Sequence, residues 1–113
     1  MLSQSAFHAA LEFRRRRDWE QFHTPQNLAI AISVEAGELL EQFQWLLRPD
    51  ERPTHRRMAA IDQEIADIAI LLSYLATDLG IDIDEAVHRK LALNEERYPV
   101  DKSRGTAAKY NEL

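Results

Sequence analysis

Cysteine is absent from this chain of 113 residues, which excludes disulfide bonds and thiolate metal ligands. No apolar run is long enough to span a bilayer, and residues 1–5 lack a cationic segment followed by an apolar core. Positive charge is also scarce, since the formal net charge is −5 at pH 7. We therefore predict a cytoplasmic protein that does not enter membranes.

The charge balance argues against general binding to nucleic acid, because such binding draws its free energy from counterions released by clustered Lys and Arg. The run from Arg14 to Arg17 spreads its cations around most of a helix, at about 100° per residue, so it forms no flat basic patch. We predict solvated or intersubunit positions for these arginines. A small anionic ligand held by cations or by a metal stays compatible with the sequence.

Glycine and proline are rare, with three and four residues, and the strict apolar-polar alternation typical of strands is missing. Helix start and stop signals, such as the predicted N-cap Thr24 before Pro25 and the predicted stop residue Gly80, favour an all-α fold. We predict four helices that form a bundle-like fold with a central antiparallel hairpin, over residues 3–20, 24–47, 54–79 and 82–97.

The length fits one domain over residues 1–113, with a helical core in 1–99 and a polar, extended C-terminal arm in 100–113. The order of this arm is expected to depend on docking to a neighbour. A domain of this size buries only about two thirds of its unfolded surface, so association with copies of itself stabilises it. We therefore predict a homo-oligomer.

Two acidic pairs, Glu35 with Glu38 and Glu64 with Asp67, share a spacing of three residues and lie equally far from Glu51 in the predicted turn. Residues three apart project from one side of a helix. In a hairpin, both pairs would lie roughly 11 residues, or about 17 Å, from the bend and would face each other. Glu35 and Glu64 also stand on the apolar stripes of their helices, where leucine would be expected.

Acids three apart usually form a solvated helix face, but burial of an unpaired carboxylate is unfavourable. Two carboxylates about 5 Å apart repel by about 3 kcal/mol at an effective dielectric constant near 20, so four of them require a cation or extra protons. Ligands that are all oxygen suit Mg²⁺, or Mn²⁺ as the alternative, better than zinc. Since Mg²⁺ commonly bridges substrate phosphates, the four acids predict phosphate chemistry at a metal site.

Further candidates have two interpretations each. Trp19 and Trp45 suit a pocket that stacks a nucleobase, or else core packing. His23 stands before a helix start, where it either donates to a ligand or settles the helix. Glu41, three residues after Glu38, is a weaker candidate base and is better explained as a surface acid.

Lys90, Asn94 and Arg97 follow a spacing of four and then three residues along the predicted fourth helix, so they share one side of it. We predict that this side of the helix contacts phosphate oxygens, since the Lys ammonium binds them as a point charge and the Arg guanidinium can donate two parallel hydrogen bonds. The alternative is a surface stripe that pairs with acids elsewhere.

Several motifs carry a family resemblance. They are the acidic pairs in the form ExxE and ExxD, the segment DWEQFHTPQNL at 18–28, Gln44-Trp45, Lys90 with Asn94, Arg97-Tyr98-Pro99, Ser103-Arg104-Gly105 and Lys109-Tyr110. On these the chain resembles the all-α nucleoside triphosphate pyrophosphohydrolases of the MazG-like group, and within it the dCTP pyrophosphatase branch.

The resemblance implies a MazG-type fold and Mg²⁺-dependent hydrolysis of a nucleoside triphosphate to the monophosphate and pyrophosphate. It implies dCTP or a modified cytosine analogue as substrate, a homotetramer built as a dimer of dimers, and a base pocket at the tryptophans. Some relatives carry histidine where Ala10 stands and tyrosine where Leu71 stands, so the resemblance does not extend to base or phosphate contacts through those two side chains. A dUTP or phosphoribosyl-ATP hydrolase and a non-catalytic helical oligomerisation module stay as alternatives.

Overall fold

The computed structural model describes Met1–Leu113 and contains helices and turns without any strand. The five α-helices are α1 Gln4–Arg16, α2 Pro25–Glu41, α3 His55–Asp78, α4 Ile83–Arg97 and α5 Val100–Ser103, and single 3₁₀ turns occur at Glu20–Phe22 and Tyr110–Glu112. The prediction of an all-α fold is therefore confirmed. No helix combines the length and the apolar character needed to cross a membrane.

Each of the four long helices begins at a side-chain cap. The side-chain oxygens of Ser3, Thr24, Thr54 and Asp82 each accept a hydrogen bond from the backbone N–H three residues later, at 3.2, 3.1, 3.3 and 3.0 Å. These bonds satisfy one of the N–H groups that a helix start leaves without an internal partner. The helix starts predicted at Thr24 and Asp82 are confirmed.

The end of α1 lies earlier than the predicted Glu20. Asp18 adopts a φ of 54°, in the left-handed region, and the Trp19 N–H donates to the Arg14 carbonyl at 3.2 Å. The same closing bond occurs after α3, where Gly80 has a φ of 70° and the Ile81 N–H donates back into the helix at 2.8 Å. This pattern satisfies orphan carbonyls and reverses the chain, and Asp can adopt it because a short polar side chain tolerates this backbone conformation.

The end of α2 lies at Glu41, six residues before the predicted Leu47. The Glu51 carboxylate accepts from the Leu47 N–H at 2.6 Å, and the Arg57 guanidinium donates to the Gln42 carbonyl at 3.2 Å. These contacts satisfy backbone groups near the helix end from residues further along the chain. They allow the connection between α2 and α3 to leave the helical conformation early.

The chain divides into two compact units, Met1–Ile81 and Asp82–Leu113. In the first unit, α2 packs along α3 as a hairpin and α1 packs on α3. Leu28, Tyr74 and Ala10 form the buried centre, where Leu28 is 1% exposed. This core is small, so large apolar side chains such as Ile30, Val34, Leu40 and Ile65 stay exposed.

The second unit contains α4, α5 and the C-terminal 3₁₀ turn. The segment expected to be extended therefore includes a short helix, and its end packs back within the unit. The Arg97 guanidinium lies 4.7 Å from the centre of the Tyr110 ring, and the Tyr98 ring meets Tyr110 edge-on with centres 6.1 Å apart. The dependence of this arm on a neighbouring subunit stays a prediction.

Candidate metal and nucleotide site

The hairpin brings three of the four predicted acids into one cluster. Glu35 comes from α2, and Glu64 and Asp67 come from α3; one carboxylate oxygen of each lies within 4.8 Å of the others. The helical spacing aims each pair to one side, and the antiparallel packing puts the two sides at one height. The predicted meeting of the pairs is present in the structure, while the role of each acid stays a prediction.

The cluster holds more negative charge than its hydrogen bonds can satisfy. One oxygen each of Glu35 and Glu64 is buried without a hydrogen-bond partner. The neighbouring Glu64 carboxyl, followed by burial, raises the pKa of Glu35 above its ordinary value. Glu38 lies at the exposed edge, where the side chain of Glu35 raises the pKa of the Glu38 carboxyl. The orphaned oxygens, together with the raised pKa values of Glu35 and Glu38, fit a hard divalent cation such as Mg²⁺.

A cavity of about 650 Å³ adjoins the acidic cluster and extends between α1 and α3. Glu35 and Asp67 line it, together with Trp19, His23 and the buried Tyr74. Most of the remaining lining is alanine, leucine, isoleucine or phenylalanine. A largely apolar cavity with a few charged or polar groups is the usual form of a small-molecule binding site.

Two positions where the sequence departs from some relatives also line this cavity. Ala10 and Leu71 both face it and offer only apolar side-chain surface. Polar contacts of the kind that histidine or tyrosine would make there are therefore unavailable at these two positions. Any polar recognition within the cavity depends on other side chains.

The two tryptophans occupy different places. Trp19 lines the cavity and packs edge-on against Phe13 and His23, with ring centres 5.7 and 6.2 Å apart. Trp45 lies in the connection after α2, is 70% exposed and does not line the cavity. Within one chain, only Trp19 is therefore placed beside the acids.

His23 lies at the end of the 3₁₀ turn and lines the cavity. Its backbone N–H donates to the Trp19 and Glu20 carbonyls, while its Nδ1 is buried without a hydrogen-bond partner. Burial, followed by the positive charge of Arg14, lowers the pKa of His23 below its ordinary value. Both effects favour the uncharged form of the imidazole.

Lys90, Asn94 and Arg97 lie on α4 in the C-terminal unit, where their spacing places them on one side of the helix. Lys90 is exposed, whereas Asn94 and Arg97 are partly buried. The Asn94 carbonyl accepts from the Tyr98 N–H at 2.8 Å, and the Arg97 guanidinium stacks on Tyr110. Their predicted contact with phosphate stays a prediction.

The prediction of a solvated or intersubunit position is wrong for Arg14, which is 4% exposed. Its two terminal nitrogens donate to the two Asp78 oxygens at 2.8 and 2.9 Å. Neither this ion pair nor Tyr74 is among the site residues predicted from the sequence. Arg14 follows Ala10 by four residues and Asp78 follows Tyr74 by four, which aligns each charge with a buried position. This spacing points to the pair only once Ala10 and Tyr74 are known to be buried, which the structure shows.

A model of the MazG-like family matches residues 30–113, and the chain therefore belongs to this family. The all-helical fold and the acidic hairpin agree with the resemblance that the sequence motifs carry. Among curated proteins, the chain is similar to dCTP pyrophosphatase 1 of Bos taurus, with 48% identity over 107 residues, and to that of Homo sapiens, with 42% over 105 residues.

Each of these alignments covers 90% of this chain and 62% of the relative, so the chain spans about three fifths of the length of the curated proteins. Among solved structures, it is similar to a pyrophosphatase from Archaeoglobus fulgidus. That match has a TM-score of 0.77 and 45% sequence identity, and it covers 81% of this chain and 87% of the other. The prediction of a relationship to this group is confirmed.

Proposed function

We propose that the protein is a Mg²⁺-dependent nucleoside triphosphate pyrophosphohydrolase. The proposed substrate is dCTP or a modified cytosine analogue, and the products are the monophosphate and pyrophosphate, so the reaction would remove unwanted nucleotides from the pool. The observation that carries the proposal is the cluster of Glu35, Glu64 and Asp67 beside an apolar cavity. The curated relatives named dCTP pyrophosphatase 1 support the choice of substrate.

The four acids, Glu35, Glu38, Glu64 and Asp67, are the proposed metal ligands and catalytic residues. A bound Mg²⁺, or Mn²⁺ in its place, supplies charge neutralisation of the triphosphate and activation of water. The carboxylates would hold the metal ion. A carboxylate that the metal does not fully engage accepts the proton of the attacking water. Water adds across the bond between the α and β phosphates as that bond breaks.

The cavity is the proposed site of the base. Trp19 offers an aromatic face for stacking, which any base can use, and His23 offers a polar contact at the cavity wall. Lys90, Asn94 and Arg97 are the proposed phosphate contacts, since an ammonium, an amide and a guanidinium all donate to anionic oxygens. A purely structural helical module would leave the acids on the apolar stripes without a purpose.

The nucleotide preference is tested with a panel of triphosphates in the presence of Mg²⁺. We expect dCTP to give equal amounts of monophosphate and pyrophosphate, and dUTP and the purine nucleotides to react more slowly. Chromatography of the products measures both. Faster hydrolysis of dUTP than of dCTP, or hydrolysis of phosphoribosyl-ATP, would show that the protein is a different pyrophosphohydrolase with the same fold. Release of inorganic phosphate in place of pyrophosphate would contradict the proposed reaction.

The exposed apolar face of α2 supports the proposed homotetramer, arranged as a dimer of dimers. Ile30 and Val34 are 53% and 55% exposed and line a shallow concavity on this face. Contiguous apolar surface of this kind is typical of protein interfaces. In such an assembly, the exposed Trp45 of one subunit would contact the base bound in the cavity of a neighbouring subunit. The cytoplasmic location stays a prediction.

We expect light scattering to give the mass of four chains, and Val34→Glu to reduce this mass, because the new carboxylate would be buried without a partner. Helicity measured by circular dichroism checks that the variant folds. A wild-type protein that is monomeric at micromolar concentration would contradict the proposed assembly. An unchanged mass for the Val34→Glu variant would place the interface on another surface.

A further inference from the structure

The cavity wall contains a tyrosine that is fixed from two directions. Tyr74 on α3 is 4% exposed, and its hydroxyl donates to the carbonyl of Ala10 on α1 at 2.5 Å. The guanidinium carbon of Arg14, one turn along α1, lies 4.4 Å from the centre of the ring. A cation is attracted to the face of an aromatic ring, most strongly where both are removed from water. The position and tilt of this ring are therefore set by α1.

Arg14 is fixed in turn by Asp78. The two hydrogen bonds between them form the planar, bidentate arrangement that suits a guanidinium and a carboxylate. Asp78 lies one helical turn after Tyr74, so the ion pair and the ring are held by the same two helices. The side chain of Arg14 is 5% exposed and that of Asp78 is 29% exposed. A change in this pair must therefore alter the support of the ring.

His23 lies against the same ring, with ring centres 5.6 Å apart and an angle of 30° between the planes. Its Nδ1 is buried without a hydrogen-bond partner, and its side chain is one of the few polar groups in a cavity wall that is otherwise mostly apolar. Arg14 lowers the pKa of His23 in addition to burial, while Asp78 and Glu20 act in the opposite direction. An uncharged imidazole has one N–H donor and one lone-pair acceptor on different sides of the ring, so one ring nitrogen contacts one atom of a ligand edge, either as donor or as acceptor.

We propose that Tyr74 is a specificity-determining residue, whose ring, clamped by Arg14 and Asp78, holds His23 against the polar edge of the nucleobase. Arg14 and Asp78 are positioning residues, because they act through the ring. The inference rests on the proposed function, since it places the base in the cavity beside Trp19.

The consequence is discrimination between cytosine and uracil. Cytosine presents an amino group next to a ring acceptor, whereas uracil presents an oxygen next to a ring N–H, so the order of donor and acceptor is reversed. An imidazole held in one orientation and one tautomer presents either a donor or an acceptor to the nearest atom of the base edge, so it favours the base whose order is complementary there. An imidazole free to rotate can satisfy either order, so loss of the clamp relaxes the discrimination.

The double variant Arg14→Met with Asp78→Leu tests the clamp. It removes both charges together and keeps apolar volume, which avoids the lone buried charge that would threaten folding in either single variant. We expect the KM for dCTP to rise about tenfold with kcat changed less than about twofold, and the ratio of kcat/KM between dCTP and dUTP to fall by about three- to tenfold. Tyr74→Leu, which removes the ring itself, should give the same pattern.

The chain contains a matched control in the Glu12 and Arg15 pair. Arg15 also forms a bidentate bond to a carboxylate on α1, but both side chains are exposed and neither lines the cavity. Glu12→Leu with Arg15→Met should leave KM and the dCTP to dUTP ratio unchanged. A folded Arg14 and Asp78 double variant with a lower melting temperature but unchanged KM and ratio would overturn the proposal, because the pair would then be purely structural.

Binding of dCMP and dUMP without Mg²⁺, measured by calorimetry, separates base recognition from hydrolysis. We expect wild type to discriminate between the two monophosphates and the double variant to do so less. That result supports the clamp even if no triphosphate is hydrolysed, an outcome that counts against the proposed function alone. Equal affinities of wild type for both monophosphates, or no binding of either, would overturn the clamp even if hydrolysis is observed.

Discussion

Glu38→Gln and Asp67→Asn should each lower the pyrophosphohydrolase activity by at least about a hundredfold. Loss of a residue that only supports a metal ligand typically costs about 10- to 100-fold in metal affinity or activity, so loss of a ligand should exceed that range. The amide keeps nearly the same shape but carries no negative charge, which weakens binding of a hard cation. Initial rates with dCTP over a Mg²⁺ titration measure the effect.

Glu41→Gln is the matched control for this loss. Glu41 lies on the same helix, three residues after Glu38, and is exposed. We expect its activity to stay within about twofold of wild type, because a solvated surface acid contributes little to a site that it does not reach. If Glu38→Gln and Glu41→Gln lost activity equally, or if Asp67→Asn stayed fully active, the assignment of the metal ligands would be wrong.

Glu35→Gln should stabilise the metal-free protein and at the same time remove its response to Mg²⁺. The substitution removes one of the repelling charges, and its new amide N–H can donate to the orphaned oxygen of Glu64. We expect a gain of about 1 kcal/mol after allowance for solvent screening, which corresponds to a rise of about 3–6 °C in melting temperature. Thermal unfolding in EDTA measures it.

The response to Mg²⁺ gives the second half of this prediction. A ligand that binds only the folded state raises the melting temperature, so wild type should become more stable as Mg²⁺ is added. The Glu35→Gln variant should show little further rise. If wild type gained no stability from Mg²⁺ with or without nucleotide, the non-catalytic helical module would be the better explanation. A less stable metal-free variant would show that Glu35, Glu64 and Asp67 do not repel as their separation implies.

The pH dependence follows from the raised pKa of Glu35, whose ordinary value is 4.5. Between that value and the raised pKa, the folded protein binds more protons than the unfolded chain. The free energy of unfolding therefore falls as the pH rises through this interval. We expect the metal-free wild type to lose stability from about pH 4.5 upwards, and Glu35→Gln to lack this contribution, which the same unfolding experiment can follow across a pH series.

The helix starts and the acidic hairpin were predictable because their signals are local. Thr24 before Pro25 marks a helix start wherever it occurs, and Gly80 suits the left-handed turn that ends α3. The meeting of Glu35 with Glu64 and Asp67 followed from equal distances to one bend. These conclusions need only helical geometry and a turn, both of which leave a clear pattern in sequence.

The helix ends and the cavity wall were not predictable in the same way. The early end of α2 is stabilised by Glu51 and Arg57, residues whose contacts depend on the path of the connection. Arg14 was grouped with three neighbouring arginines, because nothing in their order shows which of them lies under the cavity. Its partner Asp78 is 64 residues away.

The amino-acid sequence by itself determined the helical class and the acidic pairs, and it led to the prediction of a hard oxygen-bound metal, because periodicity, capping and donor chemistry are properties of neighbouring residues. Tertiary packing alone decided that Trp19 lines the cavity and Trp45 does not, that Arg14 is buried, and that Tyr74 and His23 share a wall. The reason is physical: desolvation and contact between helices depend on which surfaces meet, and residues far apart in the chain determine that jointly.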